Sequence, residues 1–100
     1  MRRVKALDFP ADNLLQDVCI LGRFVRAART QSGLTLEEAS LATGIAKSTM
    51  QLIETDPSKV AFDTVLRVSR ELGISLFAFP AEQQAIVRKM AKSLKSDPDK

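Results

Sequence analysis

Lys47, Ser48, Thr49, Gln51 and Leu52 stand close together in the chain and offer an ammonium, two hydroxyls, a carboxamide and an aliphatic group. These groups match the edges of base pairs. Lysine donates to guanine O6 and N7, glutamine pairs with adenine through two hydrogen bonds, serine and threonine serve either base, and an aliphatic group meets a thymine methyl. An ordinary helical hairpin with a solvated polar face has the same short pattern. What separates the two readings is the frame that holds these side chains.

That frame runs from Thr35 to Glu54. Thr35 followed by Glu38 is a capping box, with the hydroxyl accepting from a first-turn N–H and the carboxylate reaching back to the Thr35 N–H. Ala39, Ala42 and Ile45 supply small or branched apolar groups to one face, and Ser40 keeps a close approach open. Gly44 ends this helix, because glycine takes the left-handed conformation at little steric cost. A second helix is expected from Ala46 or Lys47, with Met50 and Ile53 pointing back at the first. The pattern predicts two short helices folded about one glycine, which leaves Lys47, Ser48, Thr49, Gln51 and Leu52 on the outer or flanking surface.

Other segments are organised around this pair. Residues 1–12 carry charges, Pro10 and no clear period, and are expected to form a flexible basic arm. From Asn13, capped by Asp12 or Asn13, apolar residues at Leu14, Leu15, Val18, Cys19, Leu21, Phe24, Val25 and Ala28 predict a first helix, with Gly22 a place for a bend. Asp56-Pro57-Ser58 is a turn signal. Asp63 is expected to cap a fourth helix with Val65, Leu66, Val68 and Leu72 inward and Gly73 at its end, and Phe62 is expected to pack as an anchor. For residues 74–79 two readings stay open, one helical turn capped by Ser75 or a short strand with an apolar edge. A last helix is expected from Ala81 to Leu94, with Ile86, Val87, Met90 and Leu94 apolar.

The chain has 100 residues, enough for one domain that buries roughly 60% of its unfolded surface without a metal or disulfide. Its single cysteine, Cys19, allows no intrachain disulfide, and apolar neighbours predict a buried thiol. No run approaches the roughly 18 apolar residues of a membrane span, and the N-terminus has no apolar stretch of the signal-peptide kind. A cytoplasmic protein, nucleoid-associated when bound to DNA, is expected. Catalysis is not expected: there is no histidine, tyrosine or tryptophan, no phosphate-cradling glycine loop, and no metal-ligand or cofactor-binding spacing. Glu37 and Glu38 are first-turn acids that complement a helix dipole.

Net charge is +3 and the isoelectric point near 9.4. The excess is clustered, at Arg2, Arg3 and Lys5, at Arg23, Arg26 and Arg29 three residues apart, and at Arg88, Lys89, Lys92 and Lys95. Such clusters suit phosphate or form a solvated face.

The order of helices, with Leu21-Gly22, Val25, Arg29, Gly33-Leu34-Thr35, Glu37-Glu38, Thr43-Gly44-Ile45, Ser48-Thr49, Ile53-Glu54 and Leu72-Gly73-Ile74-Ser75, resembles the lambda-repressor-like or Cro-type helix-turn-helix domain, the XRE family. The resemblance covers about residues 20–79. It implies an all-α, five-helix fold with an N-terminal arm, with residues 13–79 as the DNA-binding domain, 80–95 as a C-terminal helix and 96–100 as a disordered tail. Within the family, Glu54-Thr55-Asp56-Pro57-Ser58-Lys59-Val60 with Phe62 and Asp63-Thr64 is similar to the linker of HipB-type antitoxins, which dimerise through a short strand after the fourth helix. Three departures stand out: Leu36 where the family usually has glutamine, Ala46 where a capping serine is common, and apolar Leu36, Leu41 and Leu52 where it is often polar.

What the resemblance implies is a DNA-binding transcriptional regulator, expected to be a repressor, that places residues 47–54 in the major groove of double-stranded DNA. Lys47, Ser48 and Gln51 are expected to read bases, Thr49 and Leu52 to lie near the groove or backbone, and Thr35, Arg23 and Arg26 to meet phosphates. Arg29 and Glu54 occupy positions that form a structural ion pair in the family. The partner set is double-stranded DNA and a second copy, joined through Ile74–Phe79 or the C-terminal helix, with no membrane. Two alternatives remain: an antitoxin that also holds a toxin protein, and a protein-interaction module that keeps the fold without an operator.

Overall fold

The computed structural model describes residues 4–95. Arg2, Arg3 and the tail 96–100 lie outside the described residues. Five α-helices follow one another: α1 (Val18–Gln31), α2 (Leu36–Thr43), α3 (Lys47–Thr55), α4 (Phe62–Glu71) and α5 (Gln84–Lys95), with short 3-10 turns at Pro57–Lys59 and Ala81–Gln83. No helix among the described residues is long and apolar enough to cross a membrane.

The first helix begins later than its apolar spacing predicts. Asp17 caps it, accepting from the Cys19 N–H at 2.8 Å, while Asp12 accepts from the Leu14 N–H at 2.9 Å. Both aspartates offer the backbone a local partner outside the helix, which competes with helical bonding over residues 13–17. Past Asp17 the helix is continuous, and Gly22 sits in it without ending it. Its role is close approach: a Cβ there would lie 2.7 Å from the carbonyl oxygens of Ile53 and Glu54. Here α1 and α3 cross nearly backbone to backbone.

Leu21, Val25, Ala39, Met50, Ile53, Val65 and Val68 form the core, with Leu34, Leu36, Ile45, Val60, Leu72 and Leu76 packed against it. In α2 the inward row is Ala39 and Thr43, one helical turn apart, rather than Ala39 and Ala42; Ala42 is exposed. The buried Thr43 hydroxyl donates to the Ala39 carbonyl at 2.8 Å. Cys19 is also exposed, its Sγ 3.7 Å from the Thr55 carbonyl oxygen. Because α1 turns Leu21, Gly22, Val25, Ala28 and Arg29 inward, Cys19 falls on the flank of that stripe.

Further differences concern the ends of α4. The helix starts at Phe62 with Ala61 at its N-cap and no side-chain cap bond. Asp63 lies within the first turn, and its carboxylate accepts from the Thr64 N–H at 2.8 Å. Phe62 is 67% exposed at the rim of a groove lined by Val18, Leu21, Pro57, Val60 and Val65, so it does not anchor the helix. Residues 74–79 form neither a helical turn nor a strand. The Ile74 N–H donates to the Ser69 carbonyl at 2.8 Å, closing α4, and Leu76 packs on the core. Beyond it the chain has no neighbouring strand among the described residues to supply a ladder.

Leu7 and Phe9 depart from the free arm expected over 1–12, since both lie against α1. The Leu7 N–H donates to the Thr30 hydroxyl at 3.0 Å, the Gln31 amide donates to the Leu7 carbonyl at 2.8 Å, and the Phe9 and Phe24 rings stand 5.8 Å apart. Two bonds between backbone and side chain plus a contact between tilted aromatic rings outweigh the lack of periodicity.

Candidate nucleic-acid interface

The two central helices are joined as the local chemistry requires. Thr35 Oγ1 accepts from the Glu38 N–H at 3.1 Å and Glu38 Oε1 accepts from the Thr35 N–H at 2.9 Å, a complete capping box. Gly44 closes α2 with φ 74°, a conformation an L-residue rarely adopts. From there Ile45 turns into the core and α3 starts behind Ala46, which has no side-chain cap bond.

The inner side of α3 is fixed on three counts. Met50 and Ile53 are fully buried. Gly22 lets the helix backbone press on α1. Arg29 grips Glu54 through two parallel bonds, Nε to Oε2 at 2.5 Å and Nη2 to Oε1 at 3.0 Å, and donates a third from Nη1 to the Leu34 carbonyl at 2.8 Å. Both side chains are buried, so the guanidinium satisfies the carboxylate where water does not.

What remains outside on α3 is the polar set. Lys47, Ser48, Gln51 and Leu52 are exposed, Leu52 at 36%, and Thr49 is half-buried. Leu36 differs from the other apolar departures. It is half-buried and packs on the core, so it is not a free apolar patch. Leu41, 77% exposed, is. The Thr35 hydroxyl accepts the cap bond and keeps its own proton to donate outward, beside the exposed Glu37. Arg23 and Arg26 are exposed on α1 and form no ion pair with any described residue.

A further contact supports this pair of helices and has no signal in the local pattern. Arg67 of α4 donates from Nη1 to the Thr43 carbonyl at 3.0 Å and to both carboxylate oxygens of Glu71 at 3.1 Å. It thereby caps the last turn of α2, whose carbonyls have no partner inside the helix. Only its spacing from Glu71 is readable in sequence. The bond to Thr43 spans 24 positions.

A family model described as helix-turn-helix matches residues 25–79, from the middle of α1 to the segment beyond α4. The chain is also 36% identical over 64 residues to a Haemophilus influenzae protein named an uncharacterized HTH-type transcriptional regulator. That similarity covers 64% of this chain and 63% of the relative.

Proposed function

Because this chain belongs to the XRE family of helix-turn-helix proteins, we propose that it is a sequence-specific DNA-binding regulator of transcription that lays α3 in the major groove. One observation carries this reading. The inner side of α3 is locked by Met50, Ile53 and the Arg29–Glu54 pair, while Lys47, Ser48 and Gln51 stand outward on the same helix with no packing role. A rigid helix that presents hydrogen-bonding side chains suits base readout. In this reading Lys47, Ser48 and Gln51 contact bases, Thr49 and Leu52 border the groove, and Thr35, Arg23 and Arg26 meet phosphates. The name of the Haemophilus influenzae relative agrees with that role.

The proposed regulator acts as a repressor and as a homodimer, with two α3 helices set about 34 Å apart on one face of the duplex. Random-site selection followed by sequencing tests the specificity and the dimer. A palindromic motif supports specificity and twofold symmetry together. Failure to enrich any sequence at low salt would leave the fold as a protein-interaction module. The exposed Leu41 favours that second reading.

A further inference from the structure

We infer that Arg67 of α4 is a positioning residue for the first turn of α3, and that through this turn it sets how well DNA sequences are told apart; the second half rests on the DNA-binding reading above. The two ends of α3 are held in different ways. Its C-terminal half is fixed by buried Met50 and Ile53, by the Gly22 crossing and by the grip of Arg29 on Glu54. Its first turn carries Lys47 and Ser48, and Ala46, Lys47 and Ser48 are all exposed. Ala46 at the N-cap has no side-chain acceptor, so it leaves the orphan N–H groups of that turn unmet.

The direction in which α3 departs is set at Thr43-Gly44-Ile45 and by what this link is tied to. The Ser40 carbonyl accepts from the Gly44 N–H at 2.9 Å and from the Ile45 N–H at 3.2 Å. Ser40 belongs to α2, so these bonds hold the link only to the helix it leaves. Ile45 packs on the core, an apolar contact without directional preference. Among the described residues, Arg67 is the one side chain of another helix that hydrogen-bonds to this link, from Nη1 to the Thr43 carbonyl at 3.0 Å. Both carboxylate oxygens of Glu71, one helical turn on, lie 3.1 Å from the same nitrogen and orient the guanidinium. Val65, Val68 and Ser69 anchor α4 itself in the interior. A bonded path therefore runs from the interior through α4 and Arg67 to the turn that launches α3. Direction matters most at this end. A bond from Lys47 or Ser48 to a base edge weakens steeply with angle and distance, whereas phosphate contacts carry no sequence information. Loosening the first turn lowers discrimination and leaves non-specific affinity nearly as it is.

Amide hydrogen exchange of the full chain without DNA tests the positioning by itself. The Met50 N–H donates to the Ala46 carbonyl at 3.0 Å and so reports on the first turn. In Arg67→Met, exchange at Met50 and Gln51 is expected to speed up about three- to tenfold more than at Ile53 and Glu54. Ala46→Ser supplies a cap acceptor and is expected to shrink that difference in the Arg67→Met chain, and Arg67→Lys, which keeps a donor, is expected to show less of it. Duplex titrations at fixed salt then give the ratio of selected-site to scrambled-site affinity for the parent, each of Arg67→Met and Ala46→Ser, and the pair. Arg67→Met is expected to lower the ratio about three- to tenfold, and by less in the Ala46→Ser background; the cycle cancels any contact the new hydroxyl makes on its own. Exchange that speeds up equally along α3 overturns the inference, because Arg67 would then only stabilise the fold. So does a ratio that Arg67→Met leaves unchanged. A parent chain without site preference overturns the DNA-binding reading and the second half with it, while exchange still decides the first.

Discussion

The bare Cα of Gly22 faces the carbonyl oxygen of Glu54 so closely that a Cβ at this position would meet it at 2.7 Å. The obstacle is backbone on both sides of the crossing, and no side chain can rotate away to make room. Gly22→Ala is therefore expected to push α1 from α3 and cost about 1–3 kcal/mol, as overpacking in a close-packed site does. Thermal unfolding should show a Tm lower by several degrees; an unchanged Tm would mean that the crossing relaxes freely.

The buried pair of Arg29 and Glu54 gives an asymmetric expectation. Removing one partner, as in Arg29→Met or Glu54→Leu, strands the other charge and should cost about 3–5 kcal/mol. Replacing both together should recover much of the loss, because no buried charge remains. A urea-unfolding double-mutant cycle measures this, and additive single losses would contradict it.

Arg67 links two elements, and its two bonds are separable. Arg67→Met keeps the apolar stem but leaves the Thr43 carbonyl without its cap, at an expected cost of about 1–2 kcal/mol. Glu71→Gln weakens only an exposed ion pair and should cost less than about 0.5 kcal/mol. Equal losses in denaturant melts would show that the carbonyl bond has no special weight.

For DNA binding, the proposed base contacts and phosphate contacts should behave differently. Gln51→Ala or Lys47→Ala is expected to lose about 1–3 kcal/mol on the selected site and little elsewhere. Arg23→Ala and Arg26→Ala should weaken binding to all sequences and lower the slope of log K against log salt by about one each. Titrations on specific and scrambled duplexes at several salt concentrations distinguish the two patterns, and uniform losses for Gln51→Ala would remove its assigned role.

The parts of the fold legible from sequence are those fixed by chemistry within a few residues. Thr35 with Glu38 and the turn at Gly44 are set by local backbone needs, and both stand as the sequence predicts. Met50 and Ile53 follow from helical period alone. Where the face of a short helix had to be chosen, residue type misled: Ala42, Cys19 and Phe62 are apolar yet exposed, because inward rows are set by crossing geometry and not by hydropathy. Leu36 is the reverse case, an apolar departure from the family pattern that is packed on the core. The late start of α1 turns on Asp12 and Asp17, whose bonds to the nearby backbone compete with the helix. Arg67 on Thr43 and Leu7 on Thr30 join distant segments, and no spacing encodes them. The outer positions of α3 were legible as a set of side chains, but what they touch lies in another molecule.

The lock on the inner side of α3 has a consequence for how such a protein changes over generations. Met50, Ile53, Glu54 and the Gly22 crossing hold the helix without help from positions 47, 48 and 51. Exchanges at those exposed positions should shift folding free energy by no more than about 0.5 kcal/mol, as surface changes usually do. Preference for a target can therefore drift while the scaffold stays intact, and new specificities are reachable by single substitutions that leave a folded protein at every step.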